Sequence, residues 1–376
     1  MLSLAAEPQP TRGAHWRVLR AEGEVLHASR GLDLFVSHDS GRTFQFRAGC
    51  AARWLAHLVA RTPLLERLTR SGLHGIDVGP DGALTAIARG AILHCPAHRG
   101  AFALAHRIQR GSRPLNLCRD AAGRLFFGEY FGNTRRDEVH IYGSDDGATF
   151  EVAHTFARGA IRHVHGIVAD PFRSGLWVLT GDDGDEAGLW WSDDGLRSLT
   201  PVTRGSQAAR AVQVLPTEQG LIVPSDAPDE RNWIRLFDPQ SGRFEDLEPL
   251  PGSAFSAGRA GALYLVSTAI EPSAVNVDPW VHVYASLDGV TWRALATFER
   301  DLAALNDLRG RLLYPLVRLP EGPGLDSAIV ATGQALAGLH GRLMWWNTET
   351  VSRWLDQPRP SLTTARRAVT RWRAAA

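Results

Sequence analysis

Apolar residues along this chain fall into short alternating or continuous runs separated by glycine-bearing polar turns, the pattern of half-buried and fully buried β-strands. The unit recurs. It reads VLRAEGEVLHAS around Gly23, IDVGPDGALTAIA around Gly82, LCRDAAGRLFFGEY around Gly123 and IVADPFRSGLWVLTGD around Gly175. VQVLPTEQGLIVPSD around Gly220, AFSAGRAGALYLVST around Gly261 and LNDLRGRLLYPLV around Gly310 continue the series. Each predicts two strands joined by a tight turn, with glycine where the turn needs positive φ.

A second series lies between these units. SHDSGRTF spans Ser37 to Phe44, GSDDGATF spans Gly143 to Phe150, SDDGLRSL spans Ser192 to Leu199, and SLDGVTW spans Ser286 to Trp292. Here the Asp carboxylate is expected to accept backbone N–H groups, Gly to take the positive φ, and the aromatic to pack between sheets. The first is complete, the second lacks its leading Ser, the third has lost Thr and the aromatic, and the fourth is one residue short. Weaker turns at His94 to Gly100, Asp238 to Phe244 and Asn347 to Trp354 fill the gaps, so this series also numbers seven, recurring at roughly 47 to 60 residues.

Two interleaved series of hairpins predict a radial, all-β architecture: a seven-bladed β-propeller, with six blades as the alternative count, filling 1–361 as one domain. AARWLAHLVARTPLLERLTR, at 51–70, breaks the repeat with apolar residues near helical spacing and predicts a short helical insertion. A basic tail occupies 362–376, and no N-terminal strand is marked to close the ring.

Composition narrows the function classes. Hydrophobic residues at 44% and charged residues at 22% suit a soluble chain with a substantial core, and a net charge of +1 argues against wholesale binding to nucleic acid. There is no lysine, so all 41 basic side chains are arginine and lysine Schiff-base chemistry is excluded. The three cysteines have no zinc-ligand spacing. No run of eighteen apolar residues predicts a membrane span, and the absence of a signal-peptide pattern predicts a cytoplasmic location.

The candidate chemistry lies just before each first strand and just after each second strand, on the face opposite the Asp turns. AIRHVHGIV sets His163 and His165 two apart on one strand, able to offer two imidazoles to a divalent metal, or a base and its orienting partner to a substrate. GEYFGNTRRDEVH offers Glu129, Tyr130, Asn133, Arg135 and Arg136, a phenol beside paired guanidinium groups suited to an acidic sugar. TGDDGDEAG adds Asp182 in a carboxylate cluster, and Gln207, Arg210, Asp226 and His74 complete the set, with Ser256 and Glu271 as weaker members.

The turns quoted above resemble the Asp-box, or bacterial neuraminidase repeat, and the chain is similar over most of its length to the Asp-box propeller superfamily. That superfamily includes sialidases, other glycosidase and lyase groups, and non-catalytic assembly factors. The resemblance implies an enzyme cleaving a glycosidic bond in an acidic poly- or oligosaccharide; the alternative is a non-catalytic ligand-binding or assembly scaffold. The Phe/Tyr-Arg-Ile-Pro motif of sialidases is absent. By analogy with propeller lyases, an arginine among Arg135, Arg136 and Arg210 would neutralise the substrate carboxylate, His165 or His163 would be the base and Tyr130 the acid. A hydrolase would instead use two carboxylates drawn from Asp182, Asp183, Glu129 and Asp226.

Overall fold

In a computed structural model of the chain, the described residues are 7–8, 15–51, 71–301 and 314–358. The predicted helical insertion, the Gly310 turn and the basic tail lie outside them. Most described strands form antiparallel groups of four in chain order, as the hairpin series predicts, the first two groups being joined by a parallel pairing of Gly49 and Cys50 with Ala101 and Phe102. The first group is Arg17–Gly23, Val25–Arg30, Asp33–Ser37 and Gln45–Cys50, and the fourth is His163–Asp170, Gly175–Gly181, Gly188–Ser192 and Thr200–Arg204. The first strands of the second, third, fifth and sixth groups are Gly75–Val78, Cys118–Arg119, Leu215–Pro216 and Ala254–Ala260. The last group holds Leu316–Arg318, Ala328–Gln334 and Leu343–Asn347. This is a β-propeller.

Neighbouring groups pack face to face through apolar side chains. Phe126 and Ile141 of the third group meet Val164, Ile167, Val178 and Trp190 of the fourth. Trp177, Leu179 and Leu189 continue the fourth group's packing into Leu221, Val223 and Phe237 of the fifth. Sheets buried on both faces explain the near-continuous apolar runs.

The first and last described strands meet through backbone pairing. Glu7–Pro8 pairs antiparallel with Leu343–Asn347 as the outer strand of the last group, a closure the sequence did not mark. Glu321–Leu325 runs parallel beside Arg17–Gly23 and ties the last group to the first a second time.

Chain order within each group fixes the two faces. Turns joining strands one to two and three to four lie at one end; the links from strand two to three, and onward to the next group, lie at the other. The Asp turns are all of the three-to-four kind, whereas His163 starts a first strand and Asp182 directly follows a second. They therefore occupy opposite faces.

Three of the turn readings need correction. Ser144 does the work of the leading Ser, accepting from Gly147 N at 2.8 Å and donating to Asp146 Oδ1 at 3.0 Å, so this turn is a short form like Ser286 to Trp292. In the third turn Ser198 replaces Thr, its hydroxyl donating to Asp194 Oδ2 at 2.7 Å. Asn347 to Trp354 is not a turn but the start of a helix, Thr348–Leu355. Asn347 caps it by accepting from Thr350 N at 2.9 Å, and Val351 and Trp354 supply its buried face.

Candidate metal centre at the propeller mouth

His163 and His165 converge because of a backbone irregularity. Val164 pairs with Thr180 and Gly166 with Leu179, leaving His165 as the extra residue of a β-bulge. The bulge re-aims the imidazole toward its neighbour. The same first-to-second pairing is bulged at Leu19 in the first group and Phe255 in the sixth, so histidine here is a choice of side chain at a recurring backbone feature. Gly181 makes room for it: a Cβ there would stand 2.9 Å from His165 Cε1.

Each ring is held by a backbone carbonyl. Nδ1 of His163 lies 2.9 Å from the Phe131 carbonyl oxygen, and Nδ1 of His165 lies 3.1 Å from that of Ala211. A carbonyl can only accept, so each Nδ1 carries the proton. The Nε2 atoms then present lone pairs, and they face each other at 3.1 Å. Asp182 Oδ1 completes the triangle at 3.0 Å from His165 and 3.4 Å from His163. Three acceptors at this range repel unless one cation, a proton or a metal ion, sits among them.

Burial lowers the basicity of His165, against the opposing pull of Asp182, so it is neutral at pH 7 and its one N–H is committed to Ala211. Burial also works against ionisation of Asp182, but the two imidazoles outweigh it and hold the carboxyl well below its usual range once a proton is shared among the three groups. Both imidazoles are buried, at 5% and 2% side-chain exposure, whereas Asp182 is 22% exposed, so the triad opens to solvent on its carboxylate side.

That carboxylate is flanked by arginines. Arg162 NH1 stands 3.3 Å from Oδ2, and Arg210 NH2 stands 3.3 Å from Oδ1 while its NH1 donates to the Asp182 carbonyl at 2.9 Å. Gln207 Nε2 donates to the same carbonyl at 3.1 Å. Tyr130 lies across from the pair, its ring centroid 4.4 Å from that of His163 and 6.1 Å from that of His165. Burial, then the charge of Asp182, raises its phenol to about 12, so it stays protonated at neutral pH. Asp226 borders Arg210, with Oδ2 3.6 Å from Nε.

The remaining candidates are engaged elsewhere. Arg110 grips both oxygens of Glu129, which also accepts from His140 N at 2.8 Å, a clamp between connections. Arg136 pairs with Asp183 and Glu186, so the acidic cluster divides, Asp182 turning inward and its neighbours being neutralised outside. Asn133 is buried and braces its own turn through both backbone groups of Asp137. Arg135 is exposed, and His74 sits against Arg17 between the first two groups. Sequence reasoning passed over Arg162, Gly181 and the two carbonyls. Arg162 adjoins the histidine pair and was findable; the carbonyls carry no residue-type signal.

Among the described residues, His163, His165 and Asp182 are the group of potential ligands within 4.8 Å of one another. No described helix is long and apolar enough to cross a membrane.

Fold and site together define a β-propeller with a polar, histidine-bearing mouth. No protein-family model matches the chain, and no curated protein matches it in sequence. Solved structures do match. A chain of the mitotic checkpoint complex is 11% identical with a TM-score of 0.56, over 92% of this chain and 94% of that one. The extracellular domain of a protein described as a hybrid two-component system of B. thetaiotaomicron is 11% identical with a TM-score of 0.54, over 92% and 43%. An ancestral GH74 enzyme is 10% identical with a TM-score of 0.53, over 89% and 45%. This chain spans less than half the length of the last two, and at such identities the likeness is one of fold.

Proposed function

We propose that this chain is a carbohydrate-active β-propeller enzyme that cleaves an acidic oligosaccharide at a divalent-metal centre formed by His163, His165 and Asp182. One observation carries the reading: three buried or half-buried acceptors converge, with both outer imidazole nitrogens pinned by carbonyls. Ligands about 2.1 Å from a first-row divalent ion lie about 3.0 Å apart at right angles and about 3.4 Å apart at tetrahedral angles. The triangle's edges of 3.0, 3.1 and 3.4 Å span that interval. Carbonyl-bound Nδ1–H groups are the usual outer partners of metal-ligating histidines.

The arginines support an anionic substrate. A guanidinium beside the centre offers paired N–H donors to a sugar carboxylate, and its charge acidifies the adjacent C–H, which favours elimination over hydrolysis. With both imidazoles bound as ligands they are not free bases, so the reading replaces histidine base chemistry with a metal-polarised carboxylate. The Asp turns are read as degenerate Asp-boxes of sialidase-like propellers, structural in role.

Metal analysis of protein dialysed against zinc or manganese tests the centre. One equivalent per chain is expected, lost in His165→Ala. Incubation with uronate-containing oligosaccharides, following ultraviolet absorbance of the unsaturated product and reducing ends in parallel, tests the reaction. Reducing ends without absorbance replace elimination by hydrolysis. Metal bound with no cleavage of any substrate replaces the enzyme by a binding scaffold.

A further inference from the structure

Arg210 reaches two carboxyl groups in this mouth and treats them unequally. Its NH1 and NH2 are spent on Asp182. Its Nε faces Asp226 at 3.6 Å, too far for a hydrogen bond, and that Nε has no hydrogen-bond partner. Asp226 is 4% exposed, and its Oδ1 is buried without a hydrogen-bond partner. A carboxylate so placed would have too few donors to offset its desolvation.

What surrounds it makes ionisation harder still. The Ser253 hydroxyl, beside Asp226, donates to Glu271 Oε2 at 3.2 Å and accepts from Asn276 Nδ2 at 3.3 Å. Burial pushes Asp226 up to about 8; Arg210 and the Ser253 hydroxyl oppose this, while the negative charges of Glu271 and Asp182 reinforce it. Asp226 and Glu271 both act electrostatically on Tyr130, as do Asp182 and Arg210, so residues from the third to sixth groups share one mouth.

We infer that Asp226 is the proton donor of this site, an un-ionised carboxyl held beside Arg210 that protonates the sugar oxygen as it leaves. The assignment rests on the cleavage reading above. It gives that reaction a second carboxyl distinct from Asp182, kept un-ionised by burial and the negative charges of Glu271 and Asp182 although the two carboxyls share one arginine. In the elimination, the C–H electron pair next to the substrate carboxylate becomes the new C=C bond and the proton passes to a water-derived hydroxide. The C–O pair departs with the leaving oxygen, which takes the Asp226 proton and leaves as an alcohol. Asp226 regains its proton from water, which restores the hydroxide.

The test pairs a titration with a leaving-group comparison. Carboxyl NMR of ¹³C-aspartate-labelled protein should show one group titrating near pH 8 that disappears in Asp226→Asn. If no aspartate titrates above pH 6, the inference is overturned whatever the protein cleaves. In kinetics, kcat/KM should fall as pH rises through about 8, because the acid form is required. Asp226→Asn should lower turnover of an unactivated oligosaccharide by about 10²–10⁴-fold. It should keep its metal equivalent and regain most of the loss on a uronide with a nitrophenol leaving group, while Asp226→Glu keeps partial activity. Equal losses on both substrates would make Asp226 a positioning residue and overturn the assignment. Absence of cleavage by the unaltered protein refutes the underlying reaction, whereas a missing titration refutes only the role of Asp226.

Discussion

The two faces of this propeller use aspartate in opposite ways. On the turn face, Asp39 accepts from Thr43 N at 2.8 Å, Arg42 N at 3.1 Å and the Ser37 and Thr43 hydroxyls at 2.7 and 2.6 Å. Asp194 is served similarly, by Ser198 and Ser192. These carboxylates are surrounded by donors and held low, each at about 2, by those bonds. At the mouth, Asp182 meets two imidazole nitrogens whose protons are spent elsewhere, and Asp226 has one oxygen buried without a hydrogen-bond partner. A satisfied carboxylate stabilises a turn; an unsatisfied one is available to a cation, a proton or a substrate.

The largest effect that would break this contrast is at the triad. Asp182→Ala or His165→Ala should lower metal affinity by more than about 100-fold, read by calorimetry, with little loss of thermal stability. If either variant unfolds the protein while the metal proves irrelevant, the mouth is structural like the turns.

Gly181→Ala probes the same point without touching a ligand. The added methyl must displace the His165 ring, so metal affinity should fall by about 10- to 100-fold and stability by about 1–3 kcal/mol.

On the other face, Asp146→Ala removes the acceptor for Ala148 N, Thr149 N and the Ser144 hydroxyl, and should cost about 1–2 kcal/mol in denaturant unfolding with metal binding unchanged.

The smallest effects give the contrast its sign. Asp39 has a depressed pKa, so its contribution is present above the unfolded value of 3.8 and lost as pH falls toward about 2. Asp226 has a raised one, so the stability it permits is present below 3.8 and lost as pH rises through about 8. Asp39→Asn should therefore flatten the acid limb of Tm against pH, and Asp226→Asn should raise Tm relative to the unaltered chain by an amount that grows as pH rises from about 4 and levels off above about 8. Equal slopes in the two variants would erase the distinction.

Much of the architecture was legible because its causes are local. Glycine at positive φ in the Asp turns, such as Gly41 at 83° and Gly289 at 75°, and apolar runs beside them are properties of a few adjacent residues. The misreadings were local too: Ser144 for a missing serine, and an Asn-capped helix for a turn, where a polar start and a glutamate suit either element. The site was partly legible. The histidine pair and Asp182 were singled out, but the loop charges around Glu129 and Arg136 looked equally chemical, and only their ion-pair partners reveal that they brace connections.

The sequence by itself determined that strands form, where they turn, and that histidines stand at the head of a first strand, because periodicity and turn chemistry act over a few residues. The tertiary structure alone decided that a bulge turns His165 onto His163, that Asp182 rather than Asp183 points inward, that Arg210 couples Asp182 to Asp226, and that Glu7–Pro8 closes against Leu343–Asn347. These depend on groups tens to hundreds of residues apart. Their meeting is set by how sheets pack around an axis, which no local pattern encodes.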